Sequence, residues 1–157
     1  MTSLLEWLSE GIVAQALTAS PVLYVFANAA HILAIGLLVG AILPLDLRLL
    51  GLFKRTPLQL LGPFLSRAAA TGAVLAILTG MALFTVRANE YVGNPAFLTK
   101  MGLLAAGIAN VVLLRIASPW RRTLSEDRGP WSIKLMAAMS FAIWIAAVIA
   151  GRWIGFI

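Results

Sequence analysis

The sequence predicts an all-α, membrane-embedded four-helix bundle preceded by a short interfacial helix, and three observations carry that prediction. Of 157 residues, 61% are apolar and only 11% charged, with a mean hydropathy of +0.95. A soluble domain runs near ~45–50% apolar and ~25% charged, so this side-chain inventory needs lipid as its solvent. Four apolar runs of about 19–25 residues follow one another, each matching the ~20 residues that cross a ~30 Å hydrocarbon core. Turn-forming residues separate them: Thr56-Pro57 with Gly62-Pro63, Gly93-Asn94-Pro95, and Ser118-Pro119 with Gly129-Pro130. In lipid only helices and closed barrels satisfy their backbone, and unbroken apolar runs of this length are helical.

The elements follow in order. Leu4, Leu5, Leu8, Ile12 and Val13 recur at helical spacing beside Trp7, predicting an interfacial helix over about 3–17. Glu6 and Glu10 interrupt this stretch and it has no basic start, so it does not read as a secretory signal. The spans are expected at about 22–45, 68–86, 96–116 and 133–157, within one transmembrane domain covering 1–157. Gly36 with Gly40, and Gly151 with Gly155, are GxxxG pairs that let backbones approach closely, either inside the bundle or across a homodimer.

Orientation is read from charge. Arg48, Lys54, Arg55 and Arg67 flank the first connection, and Arg115, Arg121, Arg122, Arg128 and Lys134 the third. That is four plus five basic residues against Arg87, Lys100 and Arg152 on the other side, which accounts for all 12. The positive-inside rule then expects both termini on the outer face of a bacterial inner membrane. The net charge of +6 therefore orients the chain and does not point to nucleic acid. Trp7, Tyr24, Tyr91, Phe97, Trp153 and Phe156 would form an outer aromatic belt, and Trp120 and Trp131 an inner one.

Function is sought in the polar residues inside the spans. The chain has no cysteine and one histidine, which excludes disulfides, thiolate sites and multi-His zinc sites within one chain. It has no Ser/His/Asp arrangement and no paired outer carboxylates for hydrolysis. His31 lies about nine residues, roughly 13 Å, below the outer surface, too deep to snorkel. Asn28 shares its helical face. Lys100 enters the third span by about four residues, or ~6 Å, with Arg152 and Arg87 at the same edge. These three cations either snorkel to headgroups or stand above the histidine as partners for an anionic ligand. Asp46 is expected in a structural ion pair with Arg67, Arg115 or the surroundings of Arg48. Asn28 and Asn110 are candidate interhelical hydrogen-bond partners, and Trp144 is expected to face lipid or pack in the core, in preference to stacking on a cofactor.

An imidazole below a ring of cations suits haem b. His31 would be the axial ligand, Lys100, Arg152 or Arg87 would meet propionates, and Met81 or Met101 would supply a second axial ligand. A five-coordinate iron, or two His31 meeting across a homodimer, are equivalent solutions. Copper would ask for more soft ligands than one His and two scattered Met.

The stretch Ala30-His31-Ile-Leu-Ala-Ile-Gly-Leu-Leu-Val-Gly40, ending in Leu45-Asp-Leu-Arg48-Leu-Leu, resembles the first core helix of HemJ-type protoporphyrinogen oxidases. CopD-type copper-resistance membrane domains open in a similar way. Asn94-Pro-Ala-Phe-Leu-Thr-Lys100 is similar to the Lys-bearing entry to the corresponding HemJ helix. The resemblance covers about residues 21–117 and extends to an uncharacterised bacterial family of four-helix membrane proteins sharing these elements. It implies His31 as haem ligand and Lys100 as a porphyrin-side cation. The further histidines of HemJ-type enzymes have no counterpart after His31, so the oxidase reaction is not carried over. The functions expected are haem-based electron transfer or porphyrin handling, an accessory or assembly subunit of a membrane complex, and, third, a copper- or proton-handling transporter.

Overall fold

The computed structural model describes residues 2–116, 120, 123 and 129–156, with side chains from Leu5 onward. Among these there are helices and no strands. Two short helices, α1 (Thr2–Ser9) and α2 (Ile12–Ala19), precede α3 (Pro21–Leu50), α4 (Leu58–Val86), a single-turn helix α5 (Ala88–Gly93), α6 (Pro95–Ile116) and α7 (Trp131–Trp153). Helices α3, α4, α6 and α7 are each long and apolar enough to cross a membrane, so this is an integral membrane four-helix bundle.

Local chemistry sets the boundaries. Ser20 caps α3, its Oγ accepting from Leu23 N–H at 3.4 Å, and Pro21 occupies the first helical position, where no N–H is needed. Gly51 ends α3 in the left-handed conformation (φ 104°), which lets Leu52 N–H reach Leu47 O at 3.0 Å. Asn94 caps α6 through Oδ1, which accepts from Ala96 N–H at 2.9 Å and Phe97 N–H at 3.1 Å.

The helices run past the expected spans. α3 continues to Leu50, because Pro44 is absorbed inside the helix, and α4 begins at Leu58, with Gly62-Pro63 inside its second turn and not in a turn. α7 stops at Trp153. The interfacial segment is two helices, because Glu10-Gly11 breaks it. Ala14 and Leu17 are buried, Leu5 and Leu8 half-buried, and Trp7, Ile12 and Val13 exposed. Ser118-Pro119, Arg121, Arg122 and Arg128 lie outside the described residues.

Along α3, His31, Ala34, Leu38, Ala41, Leu45 and Arg48 recur at alternating three- and four-residue steps, and all but half-buried His31 are buried. That is the seam of a left-handed helix pair. It is closest against α4, where Gly72 faces α3: a Cβ built there would meet Leu38 N, sit 2.8 Å from Leu38 Cα and 3.0 Å from Ala34 O. α6 packs on α7 and α7 on α3, whereas α4 and α6 make no comparable backbone approach.

The core differs between the two ends. Around Asp46 it holds Leu45, Leu49, Leu58, Leu114 and Ile133, with Leu38, Ile42 and Trp144 at mid-height. Around His31 the buried residues are small: Ala34, Ala96 and Ala147.

A candidate site in the His31 half

His31 reaches from α3 to α4, where its Nδ1 lies 2.9 Å from Thr79 Oγ1. The single hydroxyl proton of Thr79 is committed to Leu75 O at 2.7 Å. Oγ1 therefore accepts from His31 Nδ1–H, and the network assigns the Nδ1–H tautomer. Nε2 is left as a lone-pair donor. The ring lies over Gly80, where any Cβ would stand 3.0 Å from Cε1 and 3.8 Å from Nε2. A larger residue than glycine there would push the imidazole out of place.

Lys100 of α6 lies along α7. Its Cδ, Cε and Nζ all sit 3.5 Å from where a Gly151 Cβ would be, and its charge acts on His31. The structure thus brings His31 and Lys100 to one half of the bundle on a lining of glycine and alanine. The other cations are occupied locally. Arg87 Nη1 bonds exposed Glu90 Oε2 at 3.4 Å, and the Arg152 guanidinium stacks 4.9 Å from the Phe156 ring centroid.

Several expected partners stand elsewhere. Asn28 is exposed, and the group that orients His31 is Thr79. The three-residue spacing placed Asn28 beside the histidine, but the packing seam excludes it. Met81 and Met101 are 63% and 38% exposed, on the outer surfaces of their helices. Gly36 and Gly40 face outward with nothing within 4 Å. They lie about 140° and 180° around α3 from His31, at ~100° per residue. A dimer built on them would hold two His31 apart. Thr79 and Gly80 were missed from sequence; the available signal was a hydroxyl next to a glycine interrupting an apolar run.

The aromatic residues also depart from a simple belt. Phe84, Tyr91 and Phe97 stack with centroids 5.3–6.1 Å apart, bridging α4, α5 and α6 at the end of this half. Burial, and next the neighbouring Tyr24, push the Tyr91 phenol above its ordinary value. Trp7, Trp131, Trp153 and Phe156 are exposed as a belt requires, whereas Trp120 packs against the core. A groove of about 400 Å³ on the flank of α6 and α7, lined by residues including Ala96, Leu103, Ala150 and Trp153, is apolar and does not include His31.

A family model matches residues 4–157, nearly the whole chain. The chain belongs to the family of unknown function DUF6644. No curated protein and no solved structure matches it. The site in this DUF6644 member therefore rests on its own geometry. Among the described residues no group of three or more His, Cys, Asp or Glu could hold a metal ion, so a protein-only metal cage is not what the site offers. A single imidazole ligand to a metal already held by a macrocycle is compatible with it.

Proposed function

We propose that this protein binds haem b in the His31 half of the bundle and serves electron transfer or porphyrin handling in a bacterial inner membrane. The observation that carries this reading is the His31–Thr79 bond. A metal-ligating histidine commonly donates its second ring N–H to a fixed acceptor, which sets the tautomer and aims the free nitrogen. Here Thr79 is that acceptor and Nε2 is the free nitrogen. Lys100 would hold a propionate, while Arg152 and Arg87 are placed to pair with lipid headgroups. The small-residue lining and the loosely closed α4–α6 seam offer room for a planar macrocycle. Haem would supply one-electron redox chemistry. The chain's own part is to present a neutral imidazole at fixed orientation, neutralise one carboxylate and exclude water with the Phe84–Tyr91–Phe97 stack. Met81 and Met101, given their exposure, would not serve as ligands from within the isolated chain. On the charge distribution, the His31 half and both termini face outward.

The test is a reduced-minus-oxidised absorbance spectrum of protein purified in mild detergent from cells supplied with a haem precursor. A Soret shift with α and β bands, lost in His31→Ala while the protein stays monodisperse, is expected. Colourless wild-type protein under full haem supply overturns the reading.

A second reading, an accessory or assembly subunit without cofactor, is favoured by the outward Gly36–Gly40 face, which is free to pack on a copy or a larger complex. There the His31–Thr79 bond is interhelical glue. Colourless protein that co-purifies with a membrane complex, losing it in Gly36→Val, is its expected outcome. Copper or proton handling by His31 ranks third, with no second soft ligand beside the imidazole.

A further inference from the structure

Among the described residues, three side-chain polar atoms are buried with no hydrogen-bond partner: Asp46 Oδ2, Ser140 Oγ and Trp144 Nε1. Each of these residues is 3% exposed. Asp46 on α3 and Ser140 on α7 lie in the half of the bundle opposite His31, and Trp144, one turn from Ser140 on the same face of α7, stands at mid-height. The Ser140 hydroxyl is set against the Asp46 carboxyl without meeting hydrogen-bond geometry. No ion pair reaches Asp46 among the described residues, contrary to the sequence expectation. Arg48 Nε turns back to Thr56 O at 3.0 Å, and Arg115 Nη2 reaches Ser66 O at 3.4 Å.

The orphaned hydroxyl has a specific cause. Hydroxyls in apolar helices ordinarily bond the carbonyl one turn back, and Thr18, Thr79 and Thr99 do so at 2.7–2.8 Å. The corresponding carbonyl for Ser140 is Met136 O, and Asn110 of α6 donates its Nδ2 to it at 3.0 Å. Asn110 thereby takes the default partner of Ser140 and leaves the hydroxyl facing Asp46.

We propose that one internal water molecule sits between α3 and α7, donating to Asp46 Oδ2 and hydrogen-bonding Ser140 Oγ, with Trp144 Nε1–H one turn away on the same wall. A buried carboxyl or hydroxyl left unpaired in hydrocarbon is costly, and a buried water is the usual remedy where two to four polar groups converge. A hard cation fits less well: Ca²⁺, for example, gathers about 6–8 oxygens, against two side-chain oxygens here and an indole N–H that would repel it.

The test is infrared spectroscopy of the full chain in lipid nanodiscs, in H₂¹⁶O and H₂¹⁸O. A narrow O–H stretching band that shifts with the isotope and disappears in both Ser140→Ala and Asp46→Leu is expected. No such band in wild type, or its persistence in Ser140→Ala, overturns the proposal; Ser140→Ala decides alone if Asp46→Leu does not fold. An experimental structure resolving waters is expected to show a peak within hydrogen-bond distance of both oxygens, and a direct Oγ–Oδ2 bond with no peak overturns it. Replacing choline chloride by sodium chloride at equal ionic strength is expected to leave the melting temperature unchanged. A sodium-specific rise would put a cation in the site instead.

Discussion

The two halves of α3 handle their buried polar residue in opposite ways. His31 sits among glycine and alanine and has a fixed partner in Thr79. Asp46 sits beside a cluster of leucine and isoleucine with Ala137, and its Oδ2 has no hydrogen-bond partner among the described residues. Both lie on the seam-facing side of one helix, so periodicity alone does not distinguish them. What differs is the neighbouring helix. α4 offers a hydroxyl already saturated as a donor, which makes it a dedicated acceptor, while α7 offers a hydroxyl whose carbonyl partner has been taken by Asn110.

The sharpest way to break this arrangement is at the seam between the halves. Gly72→Val would drive side-chain atoms into the Leu38 and Ala34 backbone, which has no rotamer to give way. The expected loss is about 3 kcal/mol, the upper end of the ~1–3 kcal/mol typical of overpacking, read by unfolding in detergent. Gly40→Val, with nothing within 4 Å of its Cβ position, is expected to leave monomer stability unchanged within ~0.5 kcal/mol. Equal losses at the two sites would mean that α3 and α4 are not the tight pair.

Thr79→Val removes the acceptor of His31 at nearly constant volume. Interhelical hydrogen bonds in membranes average ~0.6 kcal/mol and reach ~1.7, and a loss within that range is expected here. In haem-loaded protein the same change is expected to shift the absorbance maxima without abolishing them, since the iron-side nitrogen is retained. Complete loss of pigment would make Thr79 more than a positioning residue.

The matching change in the other half is expected to cost less. Asn110→Leu breaks the bond to Met136 O but returns that carbonyl to Ser140, so part of the ~0.6–1.7 kcal/mol is recovered. Asn110→Leu and Ser140→Ala should therefore be non-additive in a double-mutant cycle, whereas Thr79→Val and Ser140→Ala should add. Additivity in both pairs would sever the link between Asn110 and the Ser140 orphan.

How much of this was visible in the sequence follows the same division. The four spans, the break at Gly93-Asn94-Pro95 and the interhelical role of Asn110 follow from composition, spacing and the cost of polar groups in lipid. The depth of His31 and its proximity to Lys100 follow from rise per residue. Which helix His31 meets does not: Asn28 and Thr79 are equally plausible partners until α4 is docked, and only Gly72 and Gly80 hint at where it docks. Asp46 misled for a related reason. Arginines near helix ends read as ion-pair partners, yet Arg48 reaches the loop carbonyl of Thr56 and Arg115 the carbonyl of Ser66 inside α4. The Gly62-Pro63 boundary misled because a proline inside a long, well-packed helix removes one hydrogen bond without ending it.

The smallest expected effect concerns the cap over the His31 half. Burial first, then the neighbouring Tyr24, raise the Tyr91 phenol above its ordinary value, against a lesser opposing pull from Arg87. In the unfolded chain the phenol ionises near ~10; in the folded chain it holds its proton to higher pH. The folded state then binds more protons in that window, so stability falls as pH rises above ~10. Below it Tyr91 contributes no pH dependence. Tyr91→Phe keeps the ring in the Phe84–Phe97 stack and is expected to flatten the alkaline limb of the stability profile. The wild-type minus Tyr91→Phe tyrosinate absorbance should rise at higher pH than in unfolded protein. If it rises at the unfolded pH, the stack is open to water, and the His31 half is not sealed at the end where its ligand would be shielded.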